Sequence, residues 1–169
     1  MTPSELLLQM MDDAFDHKAW HGENLMDSLK GLAAEQAAAP SREGCSAWQL
    51  ALHCAYWKWV TRKSLYVGGL AGEVEPFARA PDDWPALPAQ RTQAAWERDL
   101  AFLADEHRRL RDAAAALTGE QLLVVQPGNR FTHGRSLYAI AAHDAYHTGM
   151  LRNMGVPGAD FGGPWQSPV

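Results

Sequence analysis

Cysteine is scarce in this chain. Cys45 and Cys54 are the only two, too few for a disulfide framework. Long apolar runs are missing as well, and no stretch approaches the ~20 uninterrupted apolar residues of a membrane-spanning helix. There is no block of Lys or Arg, and the net charge is -5. A nucleic-acid partner is therefore not expected, because phosphate-backbone binding depends on clustered cations. The opening MTPSELLLQMMDD carries acids where a secretory leader would carry a basic segment followed by an apolar one, so a cytoplasmic location with reduced thiols is expected. No internal repeat is visible. With 169 residues, 47% hydrophobic and 21% charged, the chain suits a single soluble domain spanning residues 1–169.

Helical signals dominate what is present. Thr2, Pro3 and Glu5 supply an N-cap, a first-turn proline and a capping-box acid. They predict a first helix to about Asp16, with Leu6, Leu7, Met10, Met11, Ala14 and Phe15 on its apolar face. A shorter amphipathic piece over 24–32 follows, then the AAEQAAAPSREG connection. Ser46 with Gln49 forms a second capping box, opening a helix on which Leu50, His53, Cys54, Trp57 and Val60 share one face and which stops at Gly68-Gly69.

Four prolines stiffen residues 68–89, a connection long enough to return along the whole length of a helix, so the second and third long helices are expected to run parallel. The third long helix is expected over 90–117, with Trp96, Leu100, Leu103, His107, Leu110 and Ala114 on its stripe. Thr118 and Gln121 can cap one further turn. LLVVQPGNRFTHG reads as a small hairpin. A last helix over 136–154 ends at Gly155 and Pro157, ahead of an irregular Gly/Pro-rich tail. Four long amphipathic helices with a long crossover between the second and third predict an all-α four-helix bundle.

Histidines lie on the stripes that should be buried. Ile140, His143, His147, Met150 and Met154 recur at helical spacing, and His53 faces the interior of another helix. A buried imidazole with unpaired nitrogens costs roughly 1–3 kcal/mol. A divalent metal that accepts one nitrogen from each ring turns that cost into binding free energy. An HxxxH pair alone is weak evidence. The third histidine on a second apolar face strengthens it, as do the flanking aromatics Tyr56, Trp57 and Tyr146. Cys54 adjoins His53 but points about 100° away on a helix, and it reads as a small buried hydrophobe.

The segments AWHGENLMDSLKGLAAEQA, CSAWQLALHCAYWKWV and LYAIAAHDAYHTGMLRNM, in that order, make most of the chain resemble the DinB/YfiT-like metalloproteins. The resemblance implies a bundle of up-down-down-up order, often a homodimer, that holds nickel, zinc or another divalent ion through three histidines. Carried over residue by residue, the ligands fall on His53, His143 and His147. The family's closing HxGQ departs here, since Met150 stands in place of the glutamine after Thr148-Gly149. Three neutral imidazoles leave the ion an open position that suits activation of a water or a thiol. Some relatives are thiol-dependent S-transferases or isomerases, and others are regarded only as metal-dependent hydrolases.

Asp144 completes HDAYH, which invites comparison with the HExxH of zinc proteases. Its shorter side chain and the upstream third ligand favour an interhelical carboxylate or a partner of a ligating histidine over a catalytic base. His21 sits in an elbow and reads as a surface residue or as a substrate contact. His107 is the competitor for a fourth ligand and is expected instead to be polar-paired or near an interface. His17 and His133 fall in connections without a role. Of the seven tryptophans, most are expected in the core or a dimer contact, and Trp57 alone is placed to line a pocket.

The expectation is a metal-dependent transferase or hydrolase acting on a small molecule, with a low-molecular-weight thiol as possible cosubstrate and no nucleic-acid or membrane partner. The alternative is a non-catalytic, stress-associated metal-binding bundle. Catalytic residues other than the metal ligands are not identified by the sequence.

Overall fold

Local capping chemistry sets the helix starts. In the computed structural model, which describes residues 1–42, 44–125 and 128–155, helix α1 spans Pro3–Phe15. The Thr2 hydroxyl accepts from the Glu5 amide while Glu5 accepts from the Thr2 amide. The same reciprocal box between Ser46 and Gln49 opens α4, Ala47–Leu65. Thr92 caps α5, Gln93–Ala115, and Thr132 caps α6, His133–Asn153. Two short helices, α2 Leu25–Leu29 and α3 Ala34–Ala38, form the elbow between α1 and α4. Thr118 and Gln121 cap each other at a 3₁₀ turn, Gln121–Leu123.

The four long helices form an all-α bundle in which α1 lies against α5 and α6, and α4 lies against the same two. Trp48 near the start of α4 meets Trp96 and Asp99 near the start of α5, while Arg62 near the end of α4 meets Glu106 further along α5. The two starts therefore lie side by side, which the long 68–89 connection allows. One buried cluster gathers Trp48, Leu50, Leu52, Trp96, Leu103, Leu25 and Leu29; a second gathers Met11, Leu65, Leu110, Leu137 and Ile140. None of the described helices is long and apolar enough to cross a membrane.

Several expectations shift. The AAEQAAAPSREG connection contains α3, because the Gln36 side chain accepts from the Ala33 amide and the Gln93 side chain accepts from the Ala34 amide, satisfying the first turn. The last helix starts at His133 rather than residue 136, since the Thr132 hydroxyl caps it. His133 is thus a fully buried first-turn residue, not part of a connection, and its Nδ1–H donates to the Gln121 carbonyl. The hairpin reduces to one bridge between Val125 and Thr132, with Gln126 and Pro127 outside the described residues. Pro157 and the tail after Gly155 also lie outside them.

The α4 end depends on Gly69. A Cβ there would sit 2.3 Å from the Leu65 carbonyl oxygen and 2.7 Å from His133 Cε1, so no other residue fits between the end of α4 and the start of α6.

Between α4 and α6 lies a charged pair in the interior, Lys58 with Asp144, each 1% exposed. The Lys58 ammonium also sits 4.7 Å from the centre of the Phe15 ring. Phe15 in turn stacks on His107, with ring centroids 3.8 Å apart. Burial pushes the His107 pKa down to about 2, with the Lys58 and Arg111 charges adding to it, so this ring is neutral. Neither of its nitrogens has a hydrogen bond within the described structure; Asp12 Oδ1 lies 3.5 Å from Nε2. His107 is buried, as its place on the stripe implies, but is not hydrogen-bonded and takes no part in a ligand cluster.

Lys58→Met leaves Asp144 as a buried carboxylate without its counter-charge, which should lower unfolding free energy by about 3–5 kcal/mol. The double change Lys58→Met, Asp144→Leu should recover most of the loss. Urea denaturation of metal-free protein at pH 7 checks both.

Candidate metal centre

α4 carries His53 on the face turned to α6, and α6 carries His143 and His147 one turn apart on the face turned back. The three rings converge through Nε2. His143 Nε2 lies 3.2 Å from His53 Nε2 and 3.1 Å from His147 Nε2. Ligand atoms of all three lie within 4.8 Å of one another. Two nitrogens each ~2.0–2.1 Å from a shared tetrahedral ion would be roughly 3.3 Å apart, so the spacing fits a divalent metal such as zinc. His53 is 6% exposed and His147 4%.

The electrostatics agree with this geometry. Burial lowers the His53 pKa, against a partial rise from Asp83. Burial likewise takes His147 down to about 4, helped by His53, and His143 down to about 3, helped by His147 and His53. All three are neutral near pH 7, the form that a metal requires. Without a cation, three such rings press lone pairs together, since one Nε2–H on His143 can serve only one neighbour. His143 Nδ1 and His147 Nδ1 are buried with no hydrogen-bond partner among the described residues.

The ring of His53 is oriented from the 66–92 connection. Its Nδ1–H donates to the backbone carbonyl of Asp83 at 2.7 Å, leaving Nε2 as the lone-pair donor. Trp84 stacks on the other side, with centroids 3.9 Å apart, and the Trp57 indole N–H donates to the Asp83 carboxylate. Asp83 has φ +67°, a left-handed conformation that aspartate tolerates better than most side chains. This segment is itself anchored. Phe77 packs on Tyr56, Trp59 and Phe102, Glu75 pairs with Arg62 and Arg109, and Arg79 pairs with Asp99. Asp83 and Trp84 are the site residues that sequence reasoning missed. Their stretch has no helical periodicity to assign a facing direction; its only signal is an Asp-Asp-Trp placed between prolines.

The remaining candidates sort clearly. Asp144 is the interhelical carboxylate bound to Lys58. Cys54, His143 and Asp144 also come within 4.8 Å of one another, but burial pushes the Cys54 thiol well up and keeps it protonated. His21 and His17 are exposed, His17 beside Asp16, and both stand outside the cluster. Trp57 lies by the site as expected, now joined by Trp84. Trp48 and Trp96 are core, and Trp165 lies outside the described residues. Met150 packs against the apolar cluster around Trp48.

Protein purified without chelators should carry about one divalent ion per chain by elemental analysis, and His143→Ala or His147→Ala should lose it. Asp83→Val, strained at positive φ, should displace the carbonyl that orients His53 and weaken zinc affinity about 10- to 100-fold. Asp83→Asn, which tolerates that conformation, should not. Competition with a zinc indicator checks both.

A family model described as the DinB superfamily matches residues 18–151, a span that contains all three converging histidines. Neither a curated protein nor a solved structure matches the chain. On that match over well more than half its length, and with an all-helical fold bearing a three-histidine cluster, the chain belongs to the DinB superfamily.

Proposed function

We propose that this protein is a metal-dependent enzyme in which His53, His143 and His147 bind one divalent ion, zinc or nickel, and a low-molecular-weight thiol is turned against a small electrophile. The observation that carries this reading is the meeting of three neutral Nε2 atoms from two facing helices. Asp144 is bound to Lys58, and Asp83 accepts from Trp57. A divalent ion on three neutral imidazoles keeps its full charge, so a thiol bound to it is acidified to thiolate near neutral pH.

The chain's own contribution is orientation and shielding. The Asp83 carbonyl holds the His53 tautomer, and Trp84 covers the His53 ring. Hydrolysis of an amide would call for a general base and a general acid at the site, and Asp144, the carboxylate next to His143 in the chain, is buried against Lys58. Thiol transfer asks for less. The sulfur forms a bond to the electrophilic carbon, and the bond from that carbon to its leaving group breaks. The leaving group departs with the electron pair, and the thiol proton goes to solvent. Against an epoxide, the ring C–O bond breaks and its oxygen takes up a proton.

A second reading, a metal-binding bundle without catalysis, is favoured by one feature. Met150 packs into the apolar cluster and offers no polar group beside His147. We further propose a homodimer, supported by the exposed Leu123, Tyr138 and Tyr146; a standard interface would cover roughly 800 Å² of each partner.

Metal-loaded protein should accelerate conjugation of at least one of several low-molecular-weight thiols to a haloarene or epoxide, with the rate persisting below the free thiol's pKa of ~8.5. His53→Ala should abolish this with helical content unchanged by circular dichroism. Turnover of an ester and amide panel instead would establish a hydrolase. No turnover in either panel, with metal bound, would establish the non-catalytic reading. Light scattering should give twice the chain mass, and a monomer at all concentrations would exclude the dimer.

A further inference from the structure

His143 has a second neighbourhood. A groove of about 320 Å³, lined by residues of α4, α6 and the segment just ahead of α6, has His143 in its lining. Trp57 and Val60 from α4 and Ile140 from α6 form apolar walls, and Phe131, just ahead of α6, contributes a further aromatic side. Thr61, Ser64 and Ser136 add hydroxyls. Among the described residues, no carboxylate, ammonium or guanidinium group lines the groove. Two guanidinium groups lie against the Phe131 ring without themselves lining the groove, Arg135 at 4.1 Å and Arg130 at 5.8 Å from its centroid. Another, larger groove, between the α2–α3 elbow and α5, has Phe15, Met26 and Trp96 in its lining but none of the three clustered histidines.

We propose that the groove beside His143 binds the body of the electrophile, and that this body is uncharged, apolar or aromatic, and no larger than one or two rings. The assignment rests on the thiol-transfer reading for its chemistry, though not for its binding. Size sets the upper limit, because 320 Å³ lies at the low end of ligand pockets, room for a small molecule and not for a peptide. Charge sets the class. A charged group entering this groove gives up water and meets no opposite charge in the lining, whereas an aromatic ring meets Trp57, Phe131 and Ile140. The hydroxyls can accept or donate one hydrogen bond to a neutral polar substituent, which orients the ring without requiring an ionic partner. Contact with His143 then places the other end of such a molecule at the cluster.

Three congeners of one ring system separate these claims: 1-naphthalenemethanol, 1-naphthalenesulfonate and 1-naphthylmethylammonium. Each is titrated by ligand-observed NMR into zinc-loaded protein and into protein stripped by chelator. The neutral alcohol should bind both forms, and each charged congener at least tenfold more weakly. Ala139→Phe, a substitution on the exposed side of α6 within the groove lining, should weaken the alcohol at least tenfold with zinc content unchanged, and Val60→Phe should do the same from α4. Equal or tighter binding of a charged congener would overturn the proposal. So would full affinity in both filled variants. If the alcohol binds as described and no thiol is ever conjugated, the groove stands and the thiol-transfer reading falls. If haloarenes are conjugated at an unchanged rate in both variants, the reverse holds.

Discussion

The buried pair of Lys58 and Asp144 sets the register of the three-histidine cluster. Both side chains are almost wholly removed from water, and each is the other's counter-charge. Sliding α6 by one turn along α4 would strand two charges in the interior, at a cost of several kcal/mol for each. Asp144 directly follows His143, and Lys58 lies on the same helix as His53. The pair therefore holds one register, in which His53 faces both His143 and His147 with Nε2 atoms 3.1–3.2 Å apart in two of the pairs. The carboxylate in HDAYH is spent on this alignment, and for that reason the resemblance to a protease motif does not extend to its chemistry.

A second constraint comes from outside the bundle core. The residues between α4 and α5 are tied down by Glu75, Phe77 and Arg79, and this fixation brings the Asp83 carbonyl to His53 Nδ1 and the Trp84 ring over the same imidazole. The site is thus made from three parts with distinct roles. α6 supplies the HxxxH spacing, α4 supplies the third ring, and the connecting segment selects the tautomer. The groove walled by Trp57 and Phe131 also has His143 in its lining. His107 shows how specific the arrangement is: it is equally buried and equally neutral, yet it stacks on Phe15 and meets no second imidazole.

Much of this was legible along the chain because it depends on short-range rules. The capping boxes at Thr2 and Ser46 act over three residues, the apolar stripes repeat every three or four, and the HxxxH spacing follows from the helical pitch. The four long helices, the all-α class, and the burial of His53, His107 and His147 follow from those rules. So does the company kept by the three clustered histidines once the resemblance is read onto them. The errors fall where local rules weaken. The α3 turn depends on a glutamine fifty-nine positions away accepting from the Ala34 amide, and the start of α6 moves because the Thr132 hydroxyl outcompetes the hairpin that its β-branched neighbours suggest.

By itself the sequence determined which histidines lie on buried stripes and which helices present them, since periodicity and capping are properties of neighbouring residues. Only the tertiary structure decided how those helices face one another. It set the Nε2 separations, bound Asp144 to Lys58 instead of leaving it free as a base, and brought Asp83 and Trp84 thirty residues along the chain to His53. The physical reason is that a proline-rich segment without period has no intrinsic facing direction. Its position is settled by contacts with α4 and α5, and those exist only once the bundle has packed.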